Sequence, residues 1–186
     1  VDLDDRAATE LSERLKHLEA EGYQFEAADA SLELLMREAA GWVQPYFRLE
    51  GYRVTTYHRN AMRGGAPIGD GESIVDTEAS VKVWAGDERF VAIGEGNGPV
   101  NALDAALRSV LTRRYPSLGR IHLTDYRVRV VEGAEATGAV VRVLIDSTDG
   151  DRTWSTVGVD SNVIEASWRA LVDSLVYGLL HADDPA

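Results

Sequence analysis

The chain has no cysteine among its 186 residues, which excludes a disulfide scaffold and a thiolate metal site and fits a reducing, cytoplasmic setting. Long apolar runs are missing as well. None approaches the roughly 20 residues needed to span a bilayer, so no membrane partner is expected. Positive charge is scarce: 19 Lys and Arg stand against 31 Asp and Glu, for a formal net charge of −12. The basic residues are scattered rather than gathered into a stripe, which argues against nucleic acid as a partner. The histidines, His17, His58, His122 and His181, are dispersed and form no HxH or HExxH pair, so no metal site is expected. No serine, threonine or carboxylate sits in a nucleophile elbow, and no catalytic residue is expected.

What remains is a chain with 45% hydrophobic residues, enough for a real core. No signal sequence is expected at its start. It starts at Val1 within an acidic helical pattern, and an excerpt from a longer polypeptide is expected. Over residues 3–20, Leu11, Leu15 and Leu18 recur at helical spacing, Asp4 and Asp5 stand where the helix dipole favours negative charge, and Gly22 is a stop. A second helix is expected from Ala28, with Leu32, Leu35, Met36 and Ala39 on one face and Gly41 ending it. Two helices this short need a surface to pack on, either in the chain or on a neighbour. They read as a linker subdomain over 1–44.

Residues 45–186 repeat. LEGYRV at 49–54 matches LTDYRV at 123–128, VKV at 81–83 matches VRV at 141–143, and FVAIG at 90–94 matches WSTVG at 154–158. Gly94, Ala102, Ala106, Leu107 and Leu111 recur 64 positions later as Gly158, Ala166, Ala170, Leu171 and Leu175. Each copy reads strand, strand, strand, helix, over about 45–114 and 119–180. The fold class is α+β: two βββα units related by internal pseudo-symmetry, preceded by the helical linker. Tyr126, Val128 and Val130 alternate with Arg127 and Arg129 as a half-buried strand requires. Tyr52 and Tyr126 hold matched positions and read as core-edge residues. A three-stranded sheet with one helix leaves a face and edges exposed, so the units are expected to associate. The copies differ at 59–73, a Gly-rich and charged insert that reads as a mobile loop, where the second copy has only EGAEATG.

Gly94, Gly96 and Gly98 precede Pro99 at the start of the first unit's helix. Glycine permits positive φ and close approach of a backbone or ligand, proline suits the first helical position, and helix-end amides receive a carboxylate or phosphate. The alternative is a tight strand-to-helix connection with Asn97 or Gly98 as cap. The pattern fits no known phosphate loop. The matching turn offers Asp160, Ser161 and Asn162 as capping groups, and Asp160 or Glu165 could hold an ammonium or simply complement the helix dipole.

GEGNGPVNALDAAL, LTDYRVRV and GVDSNVIEASWRALVDSL resemble the C-terminal regulatory region of the 2-isopropylmalate synthase and citramalate synthase family, and EGYQFEAADASLELLMREA resembles its helical linker. The SWRALVDSL ending leans towards citramalate synthases. The resemblance implies a homodimeric feedback sensor for isoleucine or leucine. It also implies an absent TIM barrel that uses a divalent metal to condense acetyl-CoA with a 2-oxo acid; no cofactor is implied for this chain itself. The effector residues it implies are the first turn, Gly94, Gly96, Asn97, Gly98, Pro99, Val100 and Asn101; the strand residues Leu123, Tyr126 and Val130; and Ser161, Asn162 and Ile164 of the second turn. Asn101 departs from the acid that relatives often carry there. Two other readings stand beside this one: a purely structural dimerisation module with a vestigial pocket, and a freestanding enzyme acting on a small acid.

Overall fold

The computed structural model describes residues 3–60, 62–63, 66–67, 73–131 and 139–182. The stretch 132–138 and parts of the 59–73 insert, expected to be a mobile loop, lie outside the described residues. The chain divides into two compact units: one comprises Val1–Tyr46 with Tyr115–Ala186, and the other Phe47–Arg114.

In the 47–114 unit, strands β1 (Arg48–Asn60), β4 (Ser73–Ala85) and β5 (Glu88–Gly96) form an antiparallel sheet in the order β1-β4-β5. Two short strands, β2 (Met62–Arg63) and β3 (Ala66–Pro67), pair with each other inside the insert. Helix α3 (Pro99–Leu111) covers one face of the sheet. Ala79, Val81, Val83 and Ala92 of the strands and Ala102, Leu103, Ala106, Leu107 and Leu111 of the helix are buried. The sheet's other face is bare at its edge strand, with Val91 57% and Ile93 62% exposed.

The other unit repeats this plan and adds to it. Strands β6 (His122–Val130), β7 (Val141–Thr148) and β8 (Thr153–Asp160) form a sheet in that order, and α4 (Val163–Leu180) covers one face. Helices α1 (Asp5–Glu21) and α2 (Asp29–Ala39) take the opposite face. There Leu11, Phe25, Ala28 and Leu35 form a buried cluster with Leu144, Val157 and Val159. The surface that the two short helices need is therefore the back of this sheet. Both helices end where glycine allows it: Gly22 has φ 109° and Gly41 φ 88°. Asp4 caps α1 by accepting from the Ala7 amide at 2.7 Å.

The repeat extends to details that hydrophobic pattern does not show. β1 is irregular between Leu49 and Gly51 and β6 between Leu123 and Asp125, so the matched segments LEGYRV and LTDYRV carry the same bulge. In the first unit Glu50 at the bulge takes a bidentate ion pair from Arg89, at 2.7 Å to each oxygen, and a hydrogen bond from Trp84. These donors hold the Glu50 carboxyl down at about 2. A Cβ on Gly94 would fall on the backbone of Ala102 and Ala106, and one on Gly158 on the backbone of Ala166 and Ala170. In both units strand and helix backbones touch directly. One expectation differs: Tyr126, Val128 and Val130 face the α4 side, paired with Ile145, Val143 and Val141, yet are 41%, 42% and 65% exposed. β6 is an edge strand, and α4 lies over β7 and β8.

These contacts set a stability test. Gly158→Ala is expected to cost roughly 3 kcal/mol, the upper end of the overpacking range. Gly51→Ala, with open space around the new methyl, is expected to stay within about 0.5 kcal/mol. Urea unfolding midpoints of the two variants check both.

Candidate functional site

The glycine turn owes its composition to close approach rather than to unusual backbone angles. The described glycines with positive φ are Gly22, Gly41, Gly86 and Gly150, so Gly94, Gly96 and Gly98 do not use the freedom that the sequence suggested. β5 simply continues through Gly96, and Gly98 is extended, with φ −175° and ψ 170°. Gly94 is buried against α3, and a Cβ on Gly96 would meet the Asn101 side-chain oxygen and the Ala102 amide. Gly98 has nothing within 4 Å of where its Cβ would be.

Gly98 is the N-cap of α3, Pro99 opens the helix, and no side chain caps it; its first turn carries no acid. The second turn is closed by its own side chains. Asn162 accepts from the Ile164 amide at 2.9 Å, Asp160 accepts from the Asn162 amide at 2.9 Å, and Glu165 stands in the first turn of α4. Asp160 and Glu165 are also both engaged by Arg169, at 2.9 and 3.3 Å. The two matched helix starts thus differ in kind: α4 has its anion partners built in, whereas α3 presents free amides to whatever lies in front of it.

Where β5 ends lies a cleft of about 830 Å³ lined by Tyr57, Asp76, Thr77, Glu78, Glu95, Gly96 and Asn97; Glu78 and Glu95 alternate with the buried Ala79 and Gly94, so they stand on the sheet face away from α3. Glu78 and Glu95 stand directly opposite each other in the β4–β5 register. Like charges in that relation repel, and a cation between them would relieve the repulsion. Sequence reading missed Asp76, Glu78 and Glu95 as site residues. The available signal was register: the strand that pairs with the glycine turn brings its own carboxylates there. Pro99, Val100 and Asn101 follow on the first turn of α3, Asn101 exposed and Val100 partly so.

The remaining candidates belong to the other unit. Tyr126 hydrogen-bonds Ser167 at 2.8 Å through its hydroxyl. Leu123 and Ile164 are half-buried, Ser161 is exposed, and Asn162 is the cap already described. The structure therefore joins Gly96 and Asn97 to a cleft, and uses Asn162 and the Tyr126 hydroxyl in the fold itself. Among the described residues no group of three or more His, Asp or Glu could hold a metal ion.

Comparison with known proteins identifies the family of the chain. The LeuA allosteric (dimerisation) domain matches residues 26–179. The chain belongs to that family. It is 50% identical over 171 residues to the (R)-citramalate synthase of Streptomyces coelicolor, covering 91% of this chain and 30% of that protein. It is 45% identical to the (R)-citramalate synthases of Synechocystis sp. and Aquifex aeolicus, covering 96% and 94% of this chain and 31% of each relative. The chain thus spans about a third of the length of these relatives. It is the LeuA allosteric (dimerisation) domain of citramalate synthase homologues, and a dimerisation domain implies self-association. No helix among the described residues is long and apolar enough to cross a membrane.

In this LeuA domain the seam between the linker helices and the sheet is polar as well as apolar. β8 is an edge strand, and its outward amides are taken up by α2. Asp29 accepts from the Ser155 amide at 2.9 Å, and Ser31 accepts from the Val157 amide at 3.0 Å. Arg169 donates to the Val159 carbonyl at 2.8 Å. The Ser31 hydroxyl in turn donates to Asp173 of α4 at 2.6 Å. At the end of α4, His181 reaches Glu33 of α2 at 3.1 Å. Burial pushes the Asp173 carboxyl up from 3.8 to about 7, with the Ser31 hydrogen bond pulling the other way and the Glu38 charge adding to the rise.

The sign of the pH effect follows. The folded state binds the Asp173 proton more tightly than the unfolded state does, so this contribution to stability is complete below the unfolded value of 3.8 and is lost as pH rises through about 7. Asp173→Asn is expected to flatten that part of the stability profile and to raise the melting temperature most above neutral pH. Thermal melts from acid to mildly alkaline pH measure it.

Proposed function

We propose that the chain is the regulatory part of a citramalate-synthase-type acyltransferase, binding isoleucine or leucine as a feedback effector and holding two chains together. The parent reaction would join acetyl-CoA to a 2-oxo acid on a catalytic barrel, with a divalent metal held there and no catalysis in this domain. The observation that carries effector binding is the acidic cleft at the end of β5. An amino acid needs donors for its carboxylate and acceptors for its ammonium. The facing Glu78 and Glu95 supply acceptors, and the amide groups of Asn97, at the turn that leads into α3, supply donors. Asn101 then has no need to act as the ammonium's acid. Inhibition follows if the effector favours one arrangement of the dimer over another.

Calorimetry with isoleucine, leucine and valine tests the binding. Glu78→Gln and Glu95→Gln are each expected to weaken the preferred amino acid by about tenfold, the scale of one hydrogen bond to a charged group. Absence of heat and of any thermal shift with all three would leave only the structural dimerisation module.

Self-association has a physical address in the open edge of β6. The β8 edge is closed by Asp29 and Ser31, whereas among the described residues no strand pairs with the outer edge of β6. Tyr126, Val128 and Val130 stand exposed beside it, and an unpaired apolar edge of this kind invites a second copy. Val130→Lys is expected to shift the chain from dimer to monomer in sedimentation velocity without loss of fold.

A further inference from the structure

A second cavity, of about 190 Å³, lies under the linker helices and is lined on its apolar side by Phe25, Leu34, Leu35 and Val157. Its volume is that of about six water molecules, and it falls below the roughly 300 Å³ at which drug-sized pockets begin. It suits a small metabolite. Ser31 and Asp173 supply its polar wall, and Arg14, Glu38 and Arg169 also line it. The charges around Asp173 do not balance. Arg14 is paired with Glu38 at 3.0 Å, and Arg169 with Asp160 and Glu165. The bond that Asp173 receives comes from the neutral Ser31 hydroxyl, and among the described residues no ion pair reaches it. The cavity thus holds a carboxyl group that lacks a cation, next to an apolar wall.

We propose that this cavity binds a small molecule carrying a primary ammonium on a short apolar body, with the ammonium on the Asp173 carboxylate and the body against Leu34, Leu35 and Val157. An ammonium brings three donors and a full positive charge, so it supplies what the protein leaves out at this point. Two sources share this chemistry: a free alkylamine, and the α-ammonium of an apolar amino acid whose carboxylate would meet Arg14 at the wall. Either ligand ties α2 to α4 and holds the linker on the sheet. The site is separate from the Glu78–Glu95 cleft, lies in the other unit and uses none of the same residues.

The test is calorimetry on the full 186-residue chain with 3-methylbutylamine, isoleucine and leucine as probes, in two buffers of different ionisation enthalpy near neutral pH. At least one probe is expected to bind with net proton release, because the ammonium displaces the proton that burial keeps on Asp173. Asp173→Asn, which keeps an acceptor for Ser31, is expected to weaken that binding by roughly tenfold or more, while Glu78→Gln and Glu95→Gln leave it unchanged. Binding of the amine alone identifies a free amine. Amino-acid binding that Arg14→Ala weakens identifies the zwitterion. A shift of the Asp173 carboxyl carbon resonance on titration of the unmutated chain reads the same contact without relying on a variant. The proposal is overturned if no probe binds, if Asp173→Asn binds as well as the parent chain, or if the resonance does not move. Loss of binding in the Glu78 and Glu95 variants instead would assign it to the cleft at the end of β5.

Discussion

A three-stranded sheet has two faces and two edges, and one helix can cover only one face. Every other feature of this protein answers to that constraint. In one unit the back face and one edge are closed by the linker: Leu11, Phe25 and Leu35 lie on Leu144, Val157 and Val159, while Asp29 and Ser31 take up the outward amides of β8. In the other unit the same surface is bare. Ile93 stands 64 positions before Val157 and is its repeat counterpart, yet it is 62% exposed where Val157 is 1% exposed. The duplication made the same incomplete sheet twice and completed it once.

The second asymmetry concerns the helix starts, one capped by a side chain and the other not. α4 satisfies its own first amides through Asn162 and Asp160, and Arg169 occupies the acids around it. α3 has only Gly98 and Pro99 there, and the cleft beside Gly96 and Asn97 is lined by carboxylates of β4 and β5. One turn carries its own anion partners. The other has none from a side chain.

Much of the fold was legible because it rests on periodicity and on duplication. The helix stops at Gly22 and Gly41, the βββα order and the spacing of Gly94 to Gly158 can all be read from residue order alone. The site was legible only in part. The glycine turn is local and could be found. Glu78 and Glu95 come together through strand register, and Asp173 meets Ser31 across 142 positions of chain; pairings of that kind leave no mark on local pattern. The exposure of Tyr126, Val128 and Val130 was hidden for a related reason: alternation shows which face a side chain takes, but not whether a helix reaches far enough to cover it.

The contact of Gly94 with Ala102 and Ala106 also has a mechanical meaning. Side chains between a helix and a sheet act as a compliant layer that lets the two slide by small rotamer changes, but at this point, near the middle of α3, backbone meets backbone and that layer is interrupted. A rod of 13 residues, roughly 20 Å long, held at its midpoint can rock but not slide: its two ends would move by similar distances in opposite directions.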